Sequence, residues 1–164
     1  MSSQFPTPPG FHPYYSDDYF YGSAGPLMIR LSGGRLSFGL RVARKHVNAA
    51  QICHGGALMF LMDMQLSLAA TLDAGIDGFS VTVNMTSDFV SSARIGDWVQ
   101  AESRLVKKTR SLLFAEGTLF TNGDRDALIM RANMICKIPR GMEAFEMASI
   151  LPPEYVPAEG EVVV

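Results

Sequence analysis

From His54 to about Ala74 the chain carries apolar side chains on almost every side of a helix: Leu58, Phe60, Leu61, Met62, Met64, Leu66 and Leu68. Such a helix reaches roughly 30 Å at the usual rise and cannot lie on a surface, so the rest of the chain must cover it. The covering material reads as strands. Leu27–Leu31 and Arg35–Val42 flank Ser32-Gly33-Gly34, and Leu36, Phe38, Leu40 and Val42 alternate with Ser37, Gly39 and Arg41, the pattern of a hairpin. After the helix come strand-like runs at Ser80–Phe89, Trp98–Val106, Leu112–Phe120 and Leu128–Ile138, separated by Arg94-Ile95-Gly96-Asp97 and Asn122-Gly123-Asp124. With no helix between them, these strands form an antiparallel meander whose apolar face the long helix can fill. The expected class is α+β: an antiparallel sheet around one central helix.

A length of 164 residues suits one domain with an ordinary core. The expected division is an aromatic N-terminal arm over 1–25, a folded domain over 26–140 and a C-terminal extension over 141–164. Phe11, Tyr14, Tyr15, Tyr19, Phe20 and Tyr21 make the arm too aromatic for a solvated linker. A net charge of -2 gives no electrostatic reason to expect nucleic acid as a partner. Two cysteines, Cys53 and Cys136, and three histidines, His12, His46 and His54, lack metal-ligand spacing, so neither a disulfide framework nor a metal site is expected. The N-terminus has no basic start followed by an apolar run, and no segment reads as an uninterrupted membrane span; residence in the cytoplasm is the expectation.

Polar residues inside the apolar helix are few enough to be informative. At about 100° per residue Asp63, Ser67 and Thr71 share one stripe with the small residues Gly56 and Ala70. One reading is close packing at a dimer contact with the carboxylate satisfied locally; the other is a reactive carboxylate. His54-Gly55-Gly56 opens the same helix, and a helix start offers unsatisfied backbone N–H groups to an anion or a polarised carbonyl oxygen. Glycine there permits either close approach of a substrate or merely a tight entry into the helix.

The chain at this point resembles the hotdog-fold acyl-CoA thioesterases, in the branch of phenylacetate-pathway and thioesterase-superfamily type. The matching elements are Asn48, His54-Gly55-Gly56, Asp63 nine residues after that histidine, and Phe79-Ser80-Val81-Thr82-Val83-Asn84-Met85-Thr86. Arg110-Ser111 and Asn122-Gly123 match more weakly, and the likeness covers Leu27 to Ile138. The resemblance implies a hotdog fold, a homodimer at least with a homotetramer left open, and hydrolysis of an acyl-CoA to a free acid and coenzyme A without a cofactor. It casts Gly55 as oxyanion donor and Asp63 as general base or nucleophile, from opposite subunits, with Asn48, His54 and Ser80 in support. Gly56, Met59, Asn84, Lys108, Arg110 and Ser111 are the expected substrate-binding residues; Lys108 and Arg110, with Arg104 and Lys107, can meet coenzyme A phosphates or simply solvate a turn. Gln51 and Thr109 depart from the family, which often has glycine at both positions. Cys53 lacks an activating base and reads as core. Rival readings are a non-catalytic acyl-CoA-binding module and a hydratase or dehydratase on the same fold.

Overall fold

A computed structural model describes residues 6–14, 20–76 and 78–139. The long helix, α2, runs Gly55–Asp73, close to the span expected from periodicity. Before it come β1 (His12–Pro13), the short helix α1 (Phe20–Ala24), the hairpin of β2 (Leu27–Ser32) and β3 (Arg35–Arg41), and a 3-10 turn at Arg44–His46. After it come β4 (Val81–Phe89), β5 (Trp98–Lys108), β6 (Leu112–Thr121) and β7 (Asp124–Lys137). They form one antiparallel sheet of seven strands in the order β1-β2-β3-β5-β6-β7-β4. The sheet curls around α2, which packs against β3, β4, β5, β6 and β7.

Turn chemistry sets the hairpins. Gly33 and Gly34 at φ +57° and +71°, and Asn122 and Gly123 at +54° and +79°, supply the left-handed pairs that two-residue turns require. β7 begins at Asp124 rather than Leu128 because the Asn122-Gly123 turn feeds directly into the strand, and Arg125 reaches across the outer surface to Glu102 at 2.6 Å. Gly39 is a matter of room: a Cβ there would lie 2.0 Å from the Trp98 ring, which crosses the strand.

The core is Leu58, Leu61, Met62 and Leu66 of α2 against Phe38, Leu40, Val99, Ala101, Leu113, Leu119, Met130 and Met134. By length and composition alone α2 is long and apolar enough to cross a membrane, at a mean hydropathy of 1.3 over its window, a test that the core helix of a globular domain also meets. Its buried side chains instead serve as the core of the sheet. The described part of the N-terminal arm packs as well: Phe11 meets Trp98 edge-on at 4.9 Å, Tyr14 meets Phe38 at 5.3 Å, and Phe20 meets Phe60 of α2 at 5.2 Å. Tyr15, Tyr19 and the C-terminal extension over 141–164 lie outside the described residues.

One polar side chain ties the helix to the sheet. β3 and β5 pair only from Gly39↔Gln100 to Arg41↔Trp98, which leaves the earlier part of β3 without β5 as a ladder partner. Gln65, fully buried, fills that gap: its Oε1 accepts from Phe38 N–H, and its Nε2 donates to Leu36 O and Ser103 Oγ, all at 2.8 Å. Gln65→Leu keeps volume but strands a buried amide and a carbonyl. It should lower unfolding free energy by about 2–4 kcal/mol, read by urea denaturation.

Candidate active site

The mouth of α2 is built by a chain of backbone bonds. His54 is the N-cap, and its Nδ1 accepts the Gly56 N–H at 2.9 Å, which leaves the neutral ring's proton on Nε2 at an exposed edge. The Ala57 and Leu58 amides donate to His54 O. That accounts for the amides around Gly55, while the Gly55 N–H itself donates to no group among the described residues. His54 N–H in turn donates to His46 O at 2.7 Å. His46 is buried, its Nδ1 accepting from Ala43 N–H and its Nε2 lying 3.2 Å from Gly25 O. Sequence reasoning passed over His46 because it acts through a backbone carbonyl and a partner distant in the chain.

Asn48 shapes the loop leading to this mouth. Its Oδ1 accepts the Ala50 N–H at 2.9 Å and the Ile52 N–H at 3.4 Å, and Gln51 takes φ +60°. The left-handed backbone explains the glycine common at Gln51 in the family that this loop resembles, and the amide of Asn48 holds the turn.

Asp63 sits about two turns inside α2, half-buried, with Oδ1 accepting the Thr82 hydroxyl at 2.8 Å. Its Oδ2 has no hydrogen-bond or ion-pair partner among the described residues. Ser67 Oγ donates to the backbone oxygen of Asp63 at 2.7 Å, and the Thr71 hydroxyl back-bonds to Ser67 O at 2.7 Å. The stripe therefore exists, but Ser80 does not reach its carboxylate. Ser80 Oγ lies 2.9 Å from Thr71 Oγ1 and donates to Ser67 O at 3.3 Å, so the hydroxyl on Asp63 comes from Thr82 instead. Ser80 was expected in support from its match to a strand serine of the family, whereas Thr82, two residues on, was not singled out.

The other expected site residues fall in three places. Gly56 and Met59 are exposed on the Asp63 side of α2. Asn84 lies on the opposite surface of the sheet, lining a groove with Thr86, Phe114, Glu116 and Asn133. Lys108 donates to Ala74 O at 2.8 Å, so it caps the far end of α2, and Arg110 and Ser111 occupy the neighbouring turn. Gly55 and Ala74 are separated by the whole length of the helix, about 28 Å. One chain therefore does not bring Lys108, Arg110 or Ser111 to Gly55.

Gly55 has an unexpected neighbour. A Cβ on it would lie 3.2 Å from the tip of the Phe89 ring, which comes from the end of β4 and is 51% exposed. Gly55 and Asp63 are themselves about 12 Å apart along the helix axis, too far to act on one carbon within a protomer.

A sequence model of the thioesterase superfamily matches residues 50–128. A "putative esterase" of Pseudomonas aeruginosa is 32% identical over 133 residues, covering 80% of this chain and 97% of that protein. The chain belongs to the thioesterase superfamily. Its solved neighbours include thioesterase superfamily member 2 of zebrafish, with TM-score 0.61 and 23% identity over 69% of this chain and 81% of that one. The phenylacetic acid degradation protein PaaI of Thermus thermophilus, as a point mutant, gives TM-score 0.61 and 21% identity over 73% and 98%. A hypothetical thioesterase protein of Streptococcus pneumoniae, solved with coenzyme A, gives 0.60 and 15% over 71% and 89%. The sheet and helix are thus the hotdog fold of this superfamily.

The two cysteines, both buried, are not poised as nucleophiles. Burial pushes the Cys53 thiol up to about 11, and burial likewise raises Cys136, with a Ser80 hydrogen bond opposing and the Asp63 charge reinforcing the shift. Ellman's reagent at mildly alkaline pH should leave both thiols unreacted in the folded protein and titrate both in denaturant.

Proposed function

We propose that this protein hydrolyses acyl-CoA thioesters as a homodimer, with each reaction centre formed by Gly55 of one protomer and Asp63 of the other. The observation that carries the reading is the uncommitted Gly55 N–H at the start of a long helix, matched by a carboxylate with one oxygen held by Thr82 and the other open. Membership of the thioesterase superfamily supports the reaction class, and the fold neighbour solved with coenzyme A supports the substrate's carrier.

In this mechanism the acyl carbonyl oxygen accepts the Gly55 N–H, whose position at the helix start also gives it the favourable end of the helix dipole. Asp63 Oδ2 takes a proton from water while the water oxygen attacks the acyl carbon, or attacks that carbon itself to form an anhydride that water then opens. Collapse of the tetrahedral oxyanion breaks the C–S bond and releases coenzyme A as thiolate, which takes up the proton. Thr82 orients the carboxylate, and the outward Nε2–H of His54 is available to the thioester or its pantetheine arm. Asn48 supports the site by holding the loop before α2, Met59 lines the acyl side, and no metal or redox cofactor enters the scheme.

The test is a panel of acyl-CoAs assayed for free thiol and, in parallel, for enoyl hydration. Thiol release is expected, and Asp63→Asn should lower kcat by about 10²- to 10⁴-fold with substrate still bound. Thr82→Val should cost about 10- to 100-fold, the worth of one hydrogen bond to a charged group, whereas Ser80→Ala should leave kcat close to wild type. Tight binding without thiol release by the wild type would favour the binding-module reading, and hydration without hydrolysis would favour a hydratase.

A further inference from the structure

The buried His46 faces two ways. Its Nδ1 accepts the Ala43 N–H at 2.9 Å, which fixes the neutral ring with its proton on Nε2, and Nε2 donates to Gly25 O at 3.2 Å. Its carbonyl accepts the His54 N–H at 2.7 Å. The first bond closes the 3-10 turn, where His46 N–H also donates to Ala43 O at 2.9 Å. The second holds the last residue of the N-terminal arm. The third, beside the bridge of Val47 to Cys53, holds the N-cap of α2. One residue therefore joins the arm to the helix mouth.

At the arm, α1 spans only five residues, too few to be stable by themselves. It is held from outside by Lys45 Nζ on Ser23 O at 2.9 Å, by His46 on Gly25 O, and by the Tyr21 ring against Tyr14 at 5.5 Å. So held, α1 sets Phe20 edge-on to Phe60 at 5.2 Å, with Phe20 still 70% exposed. Phe60 precedes Asp63 by three residues, which places it about 60° around the helix and about 4.5 Å nearer the mouth; Met59 flanks Asp63 on the other side. Phe20 thus extends an apolar wall beside the carboxylate. At the mouth, the Gly55 N–H belongs to the planar peptide that joins it to His54, so its direction follows the His54 backbone. That backbone is fixed by His54 N–H on His46 O and by Gly56 N–H on His54 Nδ1.

Resting on the thioesterase reading, we infer that His46 is a positioning residue for the reaction: through its turn it aims the Gly55 amide, and through the arm it sets Phe20 as the wall an acyl group meets beside Asp63. The two effects run through different ring nitrogens and can be separated. In His46→Asn the side-chain oxygen takes the place of Nδ1, so Ala43 N–H keeps its acceptor while the shorter side chain falls short of Gly25 O. In His46→Gln the amide nitrogen takes the place of Nε2, so Gly25 O keeps its donor while Ala43 N–H loses its acceptor.

The test compares His46→Asn, His46→Gln and Phe20→Ala with the wild type in two assays. Limited chymotrypsin digestion, read by mass, scores cutting after Phe20 and Tyr21 without any catalysis by the protein. Thiol release from the fastest substrate of the acyl-CoA panel gives kcat and KM. His46→Asn should be cut about 2- to 10-fold faster than the wild type and raise KM by a similar factor with kcat held, as loss of one neutral hydrogen bond to the arm implies. His46→Gln should resist chymotrypsin like the wild type and lose about 2- to 10-fold in kcat with KM held. Phe20→Ala, at an exposed site, should raise KM as His46→Asn does, and it decides the arm's part if a His46 variant fails to fold. A residue that merely stabilised the fold would lower the active fraction and leave KM unmoved. Two His46 variants that behave alike, variants that match the wild type, or an unmoved KM in Phe20→Ala would each overturn the inference. A wild type that cleaves no acyl-CoA ends the thioesterase reading, and the chymotrypsin contrast then keeps or overturns the arm latch by itself; an active wild type without that contrast keeps the activity and loses the latch.

Discussion

A nineteen-residue helix with apolar side chains on most of its circumference needs more surface than a single hairpin can offer, and the whole molecule is arranged to supply it. Five strands curve past α2, and Gln65 closes the one place where the ladder between β3 and β5 opens. Because the helix is covered along its length, the few polar groups on it are confined to its ends, to one stripe and to the buried Gln65. The same burial that forms the core therefore decides where chemistry can occur.

That stripe lies beside the last strand of the sheet. Asp63 meets Thr82 and Gly55 meets Phe89, so β4 runs along α2 with the carboxylate at one end and the helix-start amide at the other. A protomer alone keeps these groups about 12 Å apart and leaves the edge of β4 open. Both features fit the proposed two-protomer site, in which the carboxylate and the helix-start amide come from opposite chains. The ion pairs Arg104–Glu116 and Arg131–Asp88, at 2.6 and 2.8 Å, lie on the outer surface of the sheet, the second of them on β4 itself.

Much of this was legible in the residues. The all-round apolar run fixed α2 almost to the residue, and the alternation in β3 and the glycine turn fixed the hairpin, since both depend on local periodicity and turn chemistry. Where tertiary bonds decide, the sequence was silent or misleading. The last strand was expected from Leu128, yet it starts at Asp124, and Arg125 is a strand residue paired with Glu102 across the sheet. The Thr82 hydroxyl on Asp63 was not singled out because a threonine on an alternating strand has nothing in the sequence to mark its partner on the helix. His46, Gln65 and Phe89 act through groups far away in the chain, as does Lys108, whose bond to Ala74 O the sequence did not announce.

The central claim, that Gly55 and Asp63 act together from opposite protomers, is tested most directly by subunit mixing. Gly55→Pro removes only the amide proton at a helix position where proline is tolerated, after a residue already extended at φ -65° and ψ 135°, and Gly55→Ala is its control. Gly55→Pro and Asp63→Asn should each be inactive alone. Unfolded together and refolded in equal amounts, they should recover about one quarter of wild-type thiol release, since half the dimers are mixed and each mixed dimer holds one intact site. No recovery from a mixture shown by mass to contain the mixed dimer would contradict the account.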